Sequence, residues 1–369
     1  MIEIIGKATS AKVFADDIEP YAQAQIQLLC DHPSFAGSKV RVMPDVHPGK
    51  VGTIGFTATV GQSLMPNVVG IDIGCGMLMA KLKDKRIEYA QLDAVIRDCV
   101  PAGFRIRGKA HPLAEQFDVN CLRAASHVKA DKVALSMGTL GGGNHFIEVD
   151  KGEDGLYVII HTGSRRLGKE ITEYYLSEGQ RVLKERGEEV PYELTSLDGD
   201  LLTDYLHDVA EVQRFAALNR RAILAELVKG MKWKVVREAE SVHNYIDTER
   251  MILRKGAISA QQGEPVIIPI NMRDGVILGT GKGNEDWNCS APHGAGRVMK
   301  REDVRQRYTV SQFKKEMKGI YSSCIGKETL DEAPFAYRGL EQIAGAIGET
   351  AEITQVLKPV YNFKAGNED

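Results

Sequence analysis

Short apolar runs of strand length recur along the chain, separated by turns that are rich in glycine and proline. Runs of this kind, bounded by turn residues, are typical of buried β-strands. The pattern predicts strands over residues 40–43, 52–60, 155–160, 265–270, 275–278 and 353–360. A further strand is expected to start after the glycine run at residues 141–143.

The middle of the chain shows a different periodicity, in which apolar residues recur three or four positions apart. This spacing gathers them on one face of an α-helix. It predicts helices over residues 168–186, 201–229 and 234–246, the second being the clearest. No proline- or serine-rich linker divides the chain, and strand candidates flank the helices on both sides. We therefore expect one large α/β (mixed α+β) domain over residues 1–369.

The composition is that of a globular protein, with 369 residues, 43% hydrophobic and 26% charged. A net charge of −3 gives no bulk attraction to nucleic acid, so any RNA site must be a local basic patch. The six cysteines form no CxxC pair, which argues against a disulfide framework or zinc ribbon. Residues 1–17 lack a signal-peptide pattern, and no apolar run approaches membrane-spanning length. A soluble, cytoplasmic protein without a membrane partner is expected.

Side chains suited to binding metal lie in or beside several glycine-rich stretches. Asp72 and Cys75 end an apolar segment, and a carboxylate and a thiolate can both bind a borderline divalent cation. Asn144, His145 and Glu148 follow the next glycine run. A structural interpretation remains open for each group: a buried cysteine beside a turn aspartate, or a polar histidine on a mobile turn.

Three further histidines stand near arginines or flexible residues. His161 ends a predicted strand, and Arg165 opens the following helix, which suits either a phosphate-binding turn or a core histidine followed by a helix N-terminus. His243 falls in the predicted helix 234–246, where a packing role competes with a ligand role. His293 lies in a flexible loop four positions before Arg297. Taken together, this inventory suits metal-assisted phosphoryl or nucleotidyl transfer.

At this level of detail the sequence resembles the RtcB family of GTP- and manganese-dependent RNA ligases, and the resemblance spans nearly the whole chain. The matching stretches, in the family's order, are 43–47 (MPDVH) with Gly49 and Lys50, 69–76 (VGIDIGCG), 138–148 (GTLGGGNHFIE), 161–168 (HTGSRRLG), 242–245 (VHNY), 254–257 (RKGA), 293–297 (HGAGR) and 331–337 (DEAPFAY). The resemblance also implies a fold in which mixed sheets form the floor of a deep, metal-containing cleft, with helices packed outside.

The resemblance implies a site with two Mn²⁺ ions, in which Cys75 bridges the ions. The implied metal ligands are Asp72, Cys75, His145, His161 and His243. His293 is implied as the nucleophile that takes GMP from GTP, and Asp45 as the residue that orients its imidazole. A carboxylate suits that role, because the ring nitrogen facing the phosphate must keep its lone pair.

The remaining implied roles concern the nucleotide and the RNA. Residues matching nucleotide-contact positions are Asn144, His145, Phe146, Ile147, Glu148, His243, Asn244, Lys255, Pro269, Asn271, Met272, His293, Gly294, Ala295, Gly296, Tyr337 and Lys364. Arg165 and Arg297 match positions that bind RNA phosphates. The implied substrates are RNA ends bearing a 3′-phosphate or 2′,3′-cyclic phosphate, which are joined to 5′-hydroxyl ends.

The sequence departs from the family pattern at three places. Residues 269–275 read PINMRDG where the family usually has Pro-Gly-Ser-Met-Gly, so we expect weaker selectivity for GTP over ATP. Arg338 replaces the usual lysine after Tyr337. Residues 365–369 extend the chain past Lys364, which bears on the reach of that lysine towards a nucleotide.

Two other functions stay open from the sequence. A metallo-phosphoesterase that only opens cyclic phosphates needs the metal ligands but not His293. A non-catalytic RNA-binding paralogue would keep the fold while the altered 269–275 stretch abolished GTP chemistry. The sequence does not decide between tRNA splicing and RNA repair, or whether an activating protein partner is required.

Overall fold

A computed structural model describes residues 1–365, so the tail at residues 366–369 lies outside the described residues. The strands, in chain order, are β1 Ile2–Ile5, β2 Ser10–Val13, β3 Val40–Pro48, β4 Thr53–Thr59, β5 Ser63–Leu64, β6 Gly76–Leu82, β7 Phe146–Gly152, β8 Gly155–Thr162, β9 Leu197–Asp198, β10 Val235–Val242, β11 Asn244–Asp247, β12 Ile252–Lys255, β13 Ala257–Ser259, β14 Pro265–Asn271, β15 Gly275–Gly281, β16 Ser290–Pro292 and β17 Ala351–Lys364. The α-helices are α1 Pro20–Asp31, α2 Pro66–Val69, α3 Tyr89–Cys99, α4 Ala130–Ser136, α5 Arg165–Glu185, α6 Gly199–Met231, α7 Arg301–Arg307, α8 Val310–Glu316 and α9 Leu340–Ala346.

Two sheets dominate the fold of residues 1–365. The six-stranded sheet has the order β1-β2-β3-β4-β12-β11, and only its β2–β3 pair is parallel. The seven-stranded sheet is antiparallel, in the order β10-β6-β8-β7-β17-β15-β14. This sheet curls until its two edges meet, where the Ile267 amide of β14 donates to Ser241 Oγ of β10 at 3.2 Å.

The alternation of side chains along β6 explains how the curled sheet is packed on both faces. Met77 and Met79 join the apolar cluster enclosed by the curl, whereas Leu78 and Ala80 pack on the outer face. Helices α3 and α6 cover that outer face. A strand buried on both faces reads as a continuous apolar run, because successive side chains point in opposite directions.

The mixed α+β class that the sequence predicts is confirmed, and so are the six predicted strands and the strand expected after the glycine run. The predicted helices 168–186 and 201–229 correspond to α5 and α6. The predicted helix 234–246 is wrong, because these residues form β10 and β11. Backbone pairing to the distant β6 overrides the local pattern, and the mostly exposed face of β10 removes the apolar alternation that marks a strand.

Among residues 1–365, no helix combines the length and the apolar character needed to cross a membrane.

Candidate functional site

The side chains predicted to bind metal converge at one edge of the seven-stranded sheet. Cys75 directly precedes β6, His145 directly precedes β7, and His161 lies near the end of β8. His243 lies between β10 and β11, while Asp72 lies in the turn before Cys75. Because neighbouring strands run antiparallel, the first residue of one strand lies beside the last residue of the next. The four residues at these strand termini therefore meet at the same end of the strands.

Two ligand triads share the Cys75 thiol. In the first, Cys75 Sγ lies 3.2 Å from His161 Nε2, which lies 3.2 Å from His243 Nε2. In the second, Cys75 Sγ lies 3.4 Å from His145 Nε2, which lies 3.0 Å from Asp72 Oδ2. Within each triad, all potential ligand atoms lie within 4.8 Å of one another. A thiol common to both sets is placed where it can bridge two cations.

Hydrogen bonds behind two of the rings turn their lone pairs towards the cluster. His145 Nδ1 lies 2.9 Å from the Leu140 carbonyl, and His161 Nδ1 lies 3.0 Å from the Asn144 carbonyl. Each Nδ1 therefore donates its proton to the backbone, which leaves each Nε2 as an acceptor. The single Cys75 proton cannot satisfy both nitrogens. Facing lone pairs of this kind fit a bound cation, so the donor set suits metal.

The surroundings favour the neutral imidazoles that metals bind. Burial lowers the pKa values of His161 and His243 well below their usual range. Burial, together with Asp72, raises the pKa of the Cys75 thiol well above its usual value. Metal binding must therefore displace a proton from Cys75, as is general for thiolate ligands.

A fourth histidine, His293, lies beside the cluster but belongs to a different arrangement. It follows β16, and its Nδ1 lies 2.7 Å from Oδ2 of Asp45, a buried carboxylate of β3. The ring centroid of His293 lies 5.0 Å from that of His243. Donation from Nδ1 to Asp45 leaves Nε2 of His293 with a free lone pair.

An open cavity of about 180 Å³ begins at His293 and ends deep inside the curled sheet. The lining residues that the sequence associates with nucleotide are Asn144, Phe146, Glu148, Pro269, Asn271, Met272, Gly294, Ala295, Gly296, Tyr337 and Lys364. The lining combines apolar side chains with a few amide and charged groups, which is typical of small-molecule sites.

Glu332 organises the charged wall of this cavity. Its buried carboxylate lies 2.8 Å from Lys364 Nζ and 3.3 Å from Arg297 Nη1, and the Tyr337 hydroxyl donates to it. Burial alone would raise the pKa of Glu332, but Lys364, Arg301 and Arg297 lower it to about 2. These ion pairs fix the position of Lys364 on the last described strand.

A pair of carboxyl groups lies at the deep end of the cavity. Glu148 and Asp150 occupy the same face of β7, and both are buried. Glu148 accepts a hydrogen bond from Asn362 Nδ2 at 2.6 Å, whereas neither carboxylate oxygen of Asp150 has a hydrogen-bond partner among the described residues. Burial raises the pKa of Glu148 to about 7 and raises that of Asp150 well above its usual value. Burial therefore favours the protonated form of both carboxyl groups.

Several residues that the sequence associates with ligands lie outside the cavity wall. Lys255 Nζ donates to the Val69 carbonyl at 2.8 Å, beside the metal cluster, and Asn244 Oδ1 accepts from the Gly256 amide at 3.0 Å. The Ile147 side chain packs in the core on the other face of β7. Arg165 Nη2 donates to the Gly103 carbonyl at 2.9 Å. Contacts of these residues with nucleotide or RNA stay predictions.

The charged residues of the altered 269–275 stretch turn away from the cavity. Arg273 pairs with Asp274 and Glu316 at the tip of the β14–β15 hairpin. Neither Arg273 nor Asp274 is among the described residues that line the cavity. Asn271 Oδ1 accepts from both the Arg273 and Asp274 amides, so its side chain stabilises the turn.

Sequence reasoning assigned no role to two residues that the structure places at the site. Glu332 forms ion pairs with Lys364 and Arg297 and accepts a hydrogen bond from Tyr337. His47 lines the mouth of the cavity near His293. Both lie inside family-like stretches, which was the available signal. Their roles depend on contacts with distant parts of the chain, which local sequence does not show.

The fold and site define a class of protein: a mixed α+β protein with two adjoining triads that could hold metal and a carboxylate-oriented histidine at the mouth of a cavity. The family model described as "tRNA-splicing ligase RtcB" matches residues 25–365. The chain therefore belongs to the RtcB family.

Curated relatives cover nearly the same extent. The chain is 31% identical to the RNA-splicing ligase RtcB of Escherichia coli K12, over 96% of this chain and 97% of that protein. It is 29% identical to the tRNA-splicing ligase RtcB of Aeropyrum pernix, over 83% of this chain and 84% of that protein. It is 28% identical to the tRNA-splicing ligase RtcB of Archaeoglobus fulgidus, over 83% of each.

Proposed function

We propose that this protein is a GTP-dependent RNA ligase that joins a 3′-phosphate or 2′,3′-cyclic phosphate end to a 5′-hydroxyl end through a histidine-bound GMP. The proposal rests on the hydrogen-bonded pair of His293 and Asp45, which lies beside the two triads that share Cys75. The names of the relatives, which are RNA- or tRNA-splicing ligases, support the same function.

The chemistry of the first step follows from the orientation of His293. Asp45 accepts the Nδ1 proton, so Nε2 can attack the α-phosphorus of GTP, with pyrophosphate as leaving group. Asp45 then stabilises the positive charge that develops on the imidazole. GMP passes from His293 to the RNA 3′-phosphate. The 5′-hydroxyl of the second RNA then attacks that phosphate and displaces GMP.

The guanine nucleotide would lie in the cavity between His293 and the Glu148–Asn362 pair. Lys364 and Arg297 supply positive charge on the wall that Glu332 organises. The donor set of Asp72, Cys75, His145, His161 and His243 would hold two Mn²⁺ ions, which when bound neutralise charge on phosphoryl oxygens. The protein's own residues supply the nucleophile and its orientation.

We propose RNA repair or tRNA splicing as the process and the cytoplasm as the location. An activating protein partner is compatible with this function, and the assay below, performed with purified protein alone, measures whether one is required.

The deciding experiment supplies α-labelled GTP and Mn²⁺ to the purified protein and to the variant His293→Ala. We expect acid-labile label on the native chain and none on the variant, with metal content unchanged. Adding RNA with a 2′,3′-cyclic phosphate and RNA with a 5′-hydroxyl should yield joined product. If the protein opens the cyclic phosphate but yields neither labelled protein nor joined RNA, it is a phosphoesterase. If it binds RNA but neither opens the cyclic phosphate nor becomes labelled, it is a non-catalytic paralogue.

A further inference from the structure

His47 occupies the point where three cavities meet. It follows Asp45 by two positions at the end of β3, and its ring centroid lies 6.4 Å from that of His293. It lines the central cavity, a second cavity of about 700 Å³ on the α9 side, and a third of about 490 Å³ beside α7. The nucleotide is assigned to the central cavity, so a second RNA end must approach through the outer two.

The hydrogen bonding of His47 fixes which ring nitrogen can react. Nδ1 lies 2.8 Å from the Asp45 carbonyl oxygen, which can only accept, so Nδ1 carries the proton. Within residues 1–365, Nε2 of His47 has no hydrogen-bond partner, and the side chain is half-buried rather than enclosed. An unprotonated nitrogen is thus presented to the cavity mouth.

The charge state of His47 agrees with that arrangement. Burial lowers its pKa to about 4, and the nearby His293 and Arg338 act in the same direction, while Asp45 opposes them. The other charged residues that line the two outer cavities are Asp16, Asp17, Glu19, Arg297, Lys300, Arg301, Glu302, Asp303 and Arg307. His47 is therefore neutral at neutral pH and able to accept a proton.

From this geometry we propose that His47 is a further catalytic residue, the general base that deprotonates the 5′-hydroxyl of the incoming RNA. The inference rests on the ligase function proposed above. The 5′-oxygen forms a bond to the phosphorus of the RNA 3′-phosphate, and the bond from that phosphorus to the GMP oxygen breaks. GMP leaves with the bonding electron pair, and the hydroxyl proton passes to His47 Nε2 and then to water.

Other histidines of the site are committed to different tasks. His145 and His161 direct their Nε2 lone pairs into the cluster of potential metal ligands, and His243 Nε2 lies 3.2 Å from His161 Nε2 within it. His293 is needed to carry GMP but completes its role once GMP has moved to the RNA. The sealing step calls for a proton acceptor, and His47 lines both outer cavities, which we assign to the second RNA end.

The test uses two matched variants of the full chain. In His47→Asn, the side-chain amide can still donate to the Asp45 carbonyl but has no basic nitrogen. In His47→Gln, the amide occupies the position of Nε2 and is equally unable to accept a proton at neutral pH. Each variant is supplied with Mn²⁺ and with RNA already carrying GMP on its 3′-phosphate, together with a 5′-hydroxyl RNA.

Removal of a general base should slow sealing by about 10²-fold or more. Labelling of His293 by GTP should stay within about threefold of the native rate in both variants. The native sealing rate should be level around neutral pH, whereas that of His47→Asn should keep rising with pH as hydroxide removes the proton. A purely structural His47 would not change the shape of this profile.

Sealing by His47→Asn at the native rate, with the native pH profile, would overturn the role of His47 and leave the ligase function standing. Equal losses in labelling and sealing would also overturn it, because they would indicate a general disturbance of the Asp45 strand. A native chain that cannot seal pre-activated RNA would overturn the ligase function itself, and this inference with it.

Discussion

Nδ1 of His293 lies 2.7 Å from Oδ2 of Asp45, although the two residues are 248 positions apart in the chain. Asp45 is fully buried in β3, and its other oxygen, Oδ1, has no partner among the described residues. A buried carboxylate with one free oxygen gains most from a charged partner. The pair is therefore arranged to stabilise the imidazolium that forms when His293 is modified.

Replacing Asp45 with asparagine should preserve the shape of the pair but reverse its polarity. The Asn amide can donate to Nδ1, which places the proton on Nε2 and removes the attacking lone pair. Labelling of His293 by GTP should fall on the order of 10³-fold, as for other histidines held in the wrong tautomer. Metal content should be unchanged in Asp45→Asn. A labelling rate within a fewfold of native would show that Asp45 does not set the tautomer.

Cys75 should be distinguishable from a buried cysteine that has only a packing role. Cys75→Ala removes the atom shared by both triads, so we expect loss of bound Mn²⁺ and of joining activity. Cys30, which is equally buried but lies on α1 in an apolar core cluster, offers a matched control. Cys30→Ala should cost roughly 1 kcal/mol of unfolding free energy and leave metal content unchanged. Metal analysis and urea unfolding measure both effects, and full metal content in Cys75→Ala would contradict the bridging role.

The sequence predicts the local elements of this site better than the way they meet. Strong periodicity identifies α6, and apolar runs identify β8 and β14, because their buried positions are occupied by apolar residues close together in sequence. Residues 234–246 fail that rule, since most of β10 is exposed on one face and its pairing partner β6 is far away in sequence. The resemblance to a family predicted the metal cluster, but the hydrogen bonds of Glu332 and His47 became visible only in three dimensions.

Gly296 should be essential to the position of the His293 loop. Its φ is +70°, and a Cβ at this position would lie 2.4 Å from the Asp45 carbonyl oxygen. Gly296→Ala must therefore push the loop away from β3 and displace His293 relative to Asp45. A displacement on the order of 1 Å can cost about 10²-fold in rate. We expect at least a tenfold loss of labelling, whereas Gly345→Ala in α9, where a Cβ meets no atom within 4 Å, should label at the native rate.

The Glu148–Asp150 pair predicts an unusual dependence of stability on pH. Burial raises the pKa of both carboxyl groups, that of Glu148 from 4.5 to about 7. The folded protein thus holds more protons than the unfolded chain over this interval, and stability should fall as pH rises through it. Asp150→Asn removes one of the two acids and should lessen that fall.

Urea unfolding at roughly pH 5 and roughly pH 8 measures the effect. The native protein should lose on the order of 1–3 kcal/mol between these values through this pair, and Asp150→Asn should lose less. Glu226→Gln changes a half-buried carboxylate in a different part of the fold and serves as the control. An Asp150→Asn protein with the native pH dependence would mean that the pair is already neutral at both values.

Nucleotide preference offers a test of the altered hairpin at residues 269–275. The sequence predicts weaker selectivity for GTP over ATP, because charged residues replace the small ones usual in the family. In the structure Arg273 pairs with Asp274 and Glu316 outside the cavity, while Asn271 and Met272 line it. Arg273→Ala should therefore leave the ratio of GTP to ATP labelling unchanged, within about twofold.

A change of selectivity should instead follow from replacing residues 270–273 by Gly-Ser-Met-Gly, since this alters the cavity wall at Asn271. Buried polar groups left without a partner cost about 1–3 kcal/mol each, which corresponds to roughly tenfold or more in selectivity. Labelling with GTP, ATP and dGTP at equal concentration gives the ratios for the native chain and both variants. If all three proteins show the same strict preference for GTP, the hairpin does not set the choice of base, and discrimination must come from the Glu148–Asn362 end of the cavity.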